Sequence, residues 1–322
     1  MRARLGLAIF FLLSGTALAA TQSVDPSVLG IGARGLSMGR AFTAVSGDVS
    51  DVFINPSGVA GTHNWQAMTM SGNLMQDLDY LTLAGTKKFG DYAVGVGLVT
   101  VGSGAIPLSI INGLTPEATG QNADYRNTVL VLSLARQEPQ GTRLAGLKHG
   151  IGIKLFNQGF TGAPSADAKA VGFNLDLGLS WSPTQWIDAG LVLQNILPES
   201  LGGKISWSGM SSSSDGLPQI IKAGAAVRAE KLNSLFTIDS ETCLNQARPG
   251  LWRVGYEWQG FEFLSVRLGV DQQPSTGGVD NNFTGGAGLS WRGWKFDYAY
   301  HQYASLSDGT THYFSIGYDA PN

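Results

Sequence analysis

Val171-Gly172-Phe173-Asn174-Leu175-Asp176-Leu177-Gly178-Leu179-Ser180-Trp181 alternates without a break between a large apolar residue and a small or polar one. Successive side chains of an extended strand point to opposite faces, so Val171, Phe173, Leu175, Leu177, Leu179 and Trp181 make one greasy face. The same design recurs outward from this run. Trp252, Val254, Tyr256 and Trp258 alternate with Arg253, Gly255, Glu257 and Gln259, and the stretches 264–271, 283–292, 294–301 and 313–318 repeat it. A soluble β-sandwich would carry Lys, Glu and Thr on its wet face. Here that face is mostly Gly, Ser and Asn with a few charges of both signs, the composition of a narrow, crowded interior. The pattern predicts an all-β chain whose apolar face touches lipid.

Composition points the same way. Charged residues are 14% of the 322, aromatics 10%, and Gly numbers 44, whereas soluble domains carry about a quarter charged residues. After the N-terminus no apolar run is long enough for a transmembrane helix, which needs about 18 residues or more. Alternating hydrophobicity is the remaining way to cross a bilayer, as a transmembrane antiparallel β-barrel. A net charge of −3 offers no basic face, so nucleic acid is not expected as a partner. Cys243 is alone, and no His or acid pattern around it suggests a nucleophile.

Fourteen segments read as strands: 65–73, 78–88, 91–102, 124–136, 147–158, 168–182, 185–195, 217–229, 232–241, 249–259, 261–271, 281–292, 293–304 and 309–319. An even number, about 14, suits a bacterial outer-membrane barrel, and so do connections that alternate between long and short. The long ones, 103–123, 159–167, 196–216, 242–248 and 272–280, would be external; Phe89-Gly90-Asp91, Ser182-Pro183-Thr184 and Arg292-Gly293 would be periplasmic turns. The stretch 137–146 is long on the short side and breaks the rule. Aromatic residues gather near segment ends, as interfacial girdles require.

Three regions follow. Residues 1–19 have Arg2 and Arg4, an apolar run from Leu5 to Leu13, and Ala17 and Ala19 before a cut, which makes a cleaved signal peptide. Residues 20–64 lack strict alternation and are rich in Gly, Ala and Ser, so they predict a plug inside the barrel, where small residues let backbones approach. Residues 65–322 form the barrel. The spacing of Gly30, Gly32 and Gly35 fits a dinucleotide fingerprint, but a leader and a polar linker precede it instead of a buried strand.

Two stretches carry a family resemblance. GARGLSMGRAFTAV (32–45) followed by FINPSGVAG (53–61) resembles the N-terminal signature of the PorV/PorQ proteins, within the FadL-like outer-membrane transporters. The C-terminal WKFDYAYHQYASLSDGTTHYFSIGYD (294–319) is similar to that family's closing hairpin. The resemblance implies a fourteen-stranded barrel with an N-terminal hatch in the outer membrane of a Gram-negative-type envelope, inserted by the barrel-assembly machinery. Asn55 and Pro56 match the hatch motif, with Ser57 in place of its Ala. Arg40 stands where the family has Gly, and Asp319 to Asn322 follow the last aromatic residue, where assembly signals typically end.

No catalytic constellation emerges, and the four histidines lack metal-ligand spacings, so neither enzyme activity, metal nor cofactor is expected. Asn55, Pro56 and Arg40 are candidates for the plug gate; Asn55 before proline is also the simple shaper of a turn. Lys154, Asp176, Asp188, Lys222, Arg228, Arg253, Glu257, Arg267, Asp271, Lys295 and Asp297 are candidate lumen charges, either holding the plug or lining a path. Ile106, Leu108, Ile110, Leu114, Leu201 and Trp207 make the external connections apolar enough to form a ligand groove, or a lid packed on itself. A conduit for hydrophobic or amphipathic small molecules and a secretion accessory that docks an exported protein both fit this reading, with membrane lipid around the wall. Arginine at Leu175 should cripple assembly, whereas arginine at Asn174 should be tolerated.

Overall fold

The computed structural model describes residues 25–74, 78–112, 115–139, 141–142, 144–162, 167–209, 213–275, 278–304 and 310–321. The signal peptide and Leu114 lie outside the described residues. The chain folds into a closed antiparallel barrel of fourteen strands. The first seven are β1 (Trp65–Leu74), β2 (Leu78–Phe89), β3 (Tyr92–Asn112), β4 (Thr115–Gln137), β5 (Leu147–Thr161), β6 (Ala168–Thr184) and β7 (Ile187–Gln194). Two short strands, β8 (Lys204–Ser208) and β9 (Ser213–Gly216), form a hairpin outside this count. The wall resumes with β10 (Ile220–Ala229), β11 (Ser234–Cys243), β12 (Leu251–Phe261), β13 (Leu264–Ser275), β14 (Gly278–Trp291), β15 (Trp294–Gln302) and β16 (Thr310–Asp319). Closure comes from β1 pairing with β16, with Thr69 opposite Ile316.

The alternation assigns the two faces as the sequence predicts. Phe173, Leu177, Leu179 and Trp181 are 40–51% exposed on the outer surface, while Asn174, Asp176 and Ser180 between them are buried. A row of leucines exposed to water would be unfavourable, so the outer surface is built for hydrocarbon. Trp65, Phe89, Tyr92, Trp181, Trp291 and Trp294 ring the end that carries the tight turns, which is where an interfacial girdle belongs.

Four expectations need correction. Much of 103–123 is not loop: β3 and β4 run on past their neighbours as a two-stranded ribbon, Ile106 pairing with Ala123 and Ile110 with Glu117. The stretch 272–280 likewise is mostly the extended end of the β13–β14 hairpin. The connection 196–216 contains β8 and β9, and β8 pairs with the outer part of β6, with Gly172 opposite Ile205. It replaces β7, whose ladder with β6 begins only at Leu177 and Leu193. Finally, Asn174 is fully buried and exchanges hydrogen bonds with the backbone of Leu197, so arginine would not be tolerated there.

Candidate functional site

The lumen is occupied by the chain from Asp25 to Asn64. It holds two short helices, α1 (Ala33–Ser37) and α2 (Asp51–Ile54), and 3-10 turns at Pro26–Val28 and Pro56–Gly61. Such short pieces have little intrinsic stability, so packing against the wall must hold them. The wall receives them in two different ways.

The β1–β6 side is largely apolar, with one buried ionic exception: Lys154 of β5 bonds Asp25 of the segment at 3.0 Å and Asp176 of β6 at 2.8 Å. Met70, Val99, Val129, Val131 and Phe156 point inward and pack with Ile31, Leu36, Val52, Phe53 and Val59 of the segment. Glycines allow close contact: a Cβ on Gly150 would come within 2.5 Å of the Pro56 carbonyl carbon, and one on Gly178 would collide with Asn55 Oδ1. Asn55 is extended (φ −146°, ψ 102°), as the following proline requires, and its Oδ1 accepts from the Ser57 amide and hydroxyl at 3.1 and 2.7 Å. Its amide donates to Thr43 O at 2.8 Å and to Ser180 Oγ at 3.1 Å, and Ser57 Oγ lies 2.6 Å from Ser180 Oγ. Asn55 and Pro56 thus form a hydrogen-bonded, closely packed seam between segment and wall.

The β10–β15 side is ionic. One chain of charges runs from Asp48 through Arg34, Glu257 and Arg267 to Asp297, with contacts of 3.3, 2.6, 2.6 and 2.6 Å. Another joins Arg40 to Asp271 at 3.2 Å, then Asp271 to Arg253 at 2.7 Å, Arg253 to Glu241 at 2.8 Å and Glu241 to Lys222 at 3.4 Å. His301 also reaches Asp271, at 3.0 Å. Buried charges persist only when paired and hydrogen-bonded, and each chain supplies that. Of the lumen charges singled out from sequence, Arg253, Glu257, Arg267, Asp271, Asp297 and Lys222 therefore fall into two clusters, each bonded to one arginine of the segment, while Lys154 and Asp176 pair apart from them.

Arg40 has φ +60°, in the left-handed region, where a Cβ costs about 1–2 kcal/mol. This explains physically why glycine suits the position. The arginine is kept there by Asp271 and by a bond to the Val28 carbonyl. Near the periplasmic-type end, burial disfavours the charge of Asp48, but Arg34, then Lys295 and Ser50, outweigh it and hold the carboxyl below its usual range. Asp51 is the opposite case: burial, followed by the neighbouring Asp48 charge, pushes it well above the usual carboxylate range despite bonds from the Gly47 and Asp48 amides.

A cavity of about 30 Å³ remains between segment and wall, bounded by Ile31, Leu36, Phe42 and Phe53 and by Gln194 and Lys222. Cavities that admit benzene are about 150 Å³, so this gap holds no ring while the segment sits as described. On the external side, Ile110 is 58% exposed on the β3–β4 ribbon, with Ile106 and Leu108 half-buried. Leu201 is 66% exposed, whereas Trp207 turns inward onto the lumen cluster and donates to Asp215 at 2.7 Å. Among the described residues no group of three or more His, Cys, Asp or Glu could hold a metal.

Arg34, Asp48, Glu241 and His301 were not singled out as site residues from sequence. His301 and Glu241 lie on inward parities and were legible as lumen groups; Arg34 and Asp48 sit in irregular chain, where no periodicity orients a side chain.

No family model and no curated protein matches the chain. Solved structures do. The toluene transporter TodX of P. putida superposes with a TM-score of 0.65 over 91% of this chain and 99% of that one, at 12% identity. The toluene transporter TbuX of Ralstonia pickettii gives 0.61 over 91% and 99%, at 11% identity. A FadL homologue of Pseudomonas aeruginosa gives 0.58 over 89% and 98%, at 12% identity. The likeness covers nearly the whole of each chain. The fold is that of the FadL-type hydrocarbon transporter barrels.

Proposed function

We propose that the protein is an outer-membrane conduit for hydrophobic small molecules, monoaromatic hydrocarbons among them, with the segment 25–64 as a displaceable plug. The observation that carries this reading is the two-sided lumen. An apolar half-wall of Met70, Val99, Val129 and Phe156 is sealed by apolar residues of the plug, while the plug is retained from the other side by exchangeable ion pairs. Movement of the plug toward its ionic anchor opens a greasy strip along β1–β4 and parts Asp25 from Lys154 of β5, which stays paired with Asp176 of β6. The tight turns then face the periplasm and the long connections the exterior. Arg40, Asn55 and Pro56 act as the gate.

The test is uptake of radiolabelled toluene by Gram-negative cells expressing the barrel, compared with cells expressing an unrelated barrel of similar abundance. Faster uptake supports the conduit; equal uptake removes it.

A second reading, a PorV/PorQ-type accessory that docks an exported protein, is favoured by one feature. From the Ile106–Ala123 pair outward the described part of the β3–β4 ribbon is paired only with itself and exposes Ile110 and Ile111, so its edges are open to strand addition. Trimming the ribbon would abolish export of that partner and leave toluene uptake intact if this reading holds.

A further inference from the structure

The outer wall departs from its apolar design at one place. Neighbouring residues of β2 to β6 line up in rows across the sheet. Leu83, Leu98, Leu130, Leu155 and Phe173 form one apolar row. The next row toward the long-connection end is Leu81, Thr100, Thr128, Asn157 and Val171, and the Thr100 and Thr128 hydroxyls lie 3.0 Å apart. The row beyond it is Asp79, Gly102, Arg126, Gly159 and Lys169. Apolar, then hydroxyl or amide, then charged layers thus succeed one another in the direction of the membrane normal, the charged one with Arg126 and Lys169 at one end and Asp79 at the other.

These rows floor a groove of about 830 Å³ on the outside of the wall. Arg126 and Lys169 are exposed, and among the described residues neither side chain has an ion-pair partner. They flank Gly159, so two strand spacings, about 9–10 Å, separate their backbones with no side chain between them. That gap suits one phosphate held from both sides by long cationic side chains. Two acids border the groove: Asp79 lies across Gly102 from Arg126, and Asp124, two residues along the same face of β4, accepts the Ala105 amide at 2.9 Å; among the described residues neither makes an ion pair with Arg126 or Lys169. At the edge of a lipid-facing wall, long cationic side chains reach the headgroup layer, where a lipid anion can meet them.

We propose that this groove is a headgroup site for a phosphorylated glycolipid of the outer leaflet. Arg126 and Lys169 clasp its phosphate above Gly159; Thr100, Thr128 and Asn157 bond its sugar and ester oxygens; its acyl chains lie on the leucine row. A glycolipid is favoured over a simple anion because the polar rows are continuous with the apolar belt. The inference rests on the membrane placement proposed above and is independent of what the lumen carries.

The test uses the full barrel in dodecyl maltoside with native mass spectrometry, the probe being a bisphosphorylated, acylated glucosamine disaccharide. The wild type should retain it, while Arg126→Ala/Lys169→Ala and the dephosphorylated probe should each lower retention by about tenfold or more. Arg126→Lys/Lys169→Arg should restore retention, and inorganic phosphate should not displace the probe. Equal retention by the double alanine variant or of the dephosphorylated probe overturns the site. So does displacement by inorganic phosphate, which would mark a bare anion site, or equal retention of phosphatidylglycerol, which would mark a general anionic surface. Toluene uptake by the double alanine variant stays at the wild-type rate; a chain that remains dissolved without detergent fails the membrane placement before any lipid is added.

Discussion

Replacing Arg40 separates two opposing effects that the native residue combines. Its backbone lies at φ +60°, where any Cβ costs about 1–2 kcal/mol and glycine costs nothing. Its guanidinium bonds Asp271 at 3.2 Å and the Val28 carbonyl, and bonds of this charge-assisted kind contribute about 1.5–3 kcal/mol. Asp271 keeps Arg253 and His301 when Arg40 is gone, so no orphaned charge is left and the loss falls toward the lower figure. Arg40→Ala loses the bonds and keeps the strain; Arg40→Gly loses the bonds and sheds it. The alanine variant should therefore be less stable than the glycine variant by about 1 kcal/mol, roughly fivefold in local opening. Hydrogen exchange of peptides covering 33–45, measured by mass spectrometry in detergent, reads this opening directly. Exchange should rank wild type slowest, Arg40→Gly intermediate and Arg40→Ala fastest. Equal exchange in the two variants would refute the strain, and wild-type exchange in both would refute the anchor.

Other perturbations test the remaining contacts. Gly150→Ala forces a Cβ to within 2.5 Å of the Pro56 carbonyl carbon; it should loosen the plug and raise uptake of toluene while barrel yield stays constant, as judged by heat-modifiable gel mobility. Leu177 is 40% exposed on the outer face, so Leu177→Arg should lower folding stability in vesicles by about 2–4 kcal/mol near mid-bilayer, and an unchanged urea midpoint would count against lipid contact. Asp51 binds its proton more tightly in the folded plug than in the unfolded chain, so stability should fall as pH rises from about 4 through the raised folded value. Asp51→Asn should flatten that part of the pH dependence of exchange across 47–58; an unaltered profile would show that another group sets it.

The alternation from Val171 to Trp181 was sufficient to place the wall, because a period of two leaves one apolar face and the composition says which solvent it meets. It said less about the strand ends. Residues 103–123 carry Gly, Pro and Asn and read as loop, yet cross-strand pairing extends the ribbon beyond the region where lipid enforces alternation. Parity placed Arg253, Glu257, Arg267, Asp271 and Asp297 correctly on the inner face, but not which of them meet. That depends on Arg34 and Arg40, whose directions are set by helix turns of a few residues and by a positive φ. The apolar inner residues of β3 and β4, such as Val99 and Val129, were hidden because a strand apolar on both faces shows no alternation.

The conduit reading turns on whether the plug must leave its seat. Ser57 Oγ and Ser180 Oγ are 2.6 Å apart, close enough for cysteines at both positions to form a disulfide with little backbone movement. Cells carrying Ser57→Cys/Ser180→Cys, with Cys243→Ser to remove the native thiol, should take up toluene at the rate of cells lacking the barrel. Reductant should restore the rate of the unlocked protein. Undiminished uptake through a barrel whose disulfide is verified by mass spectrometry would contradict the account.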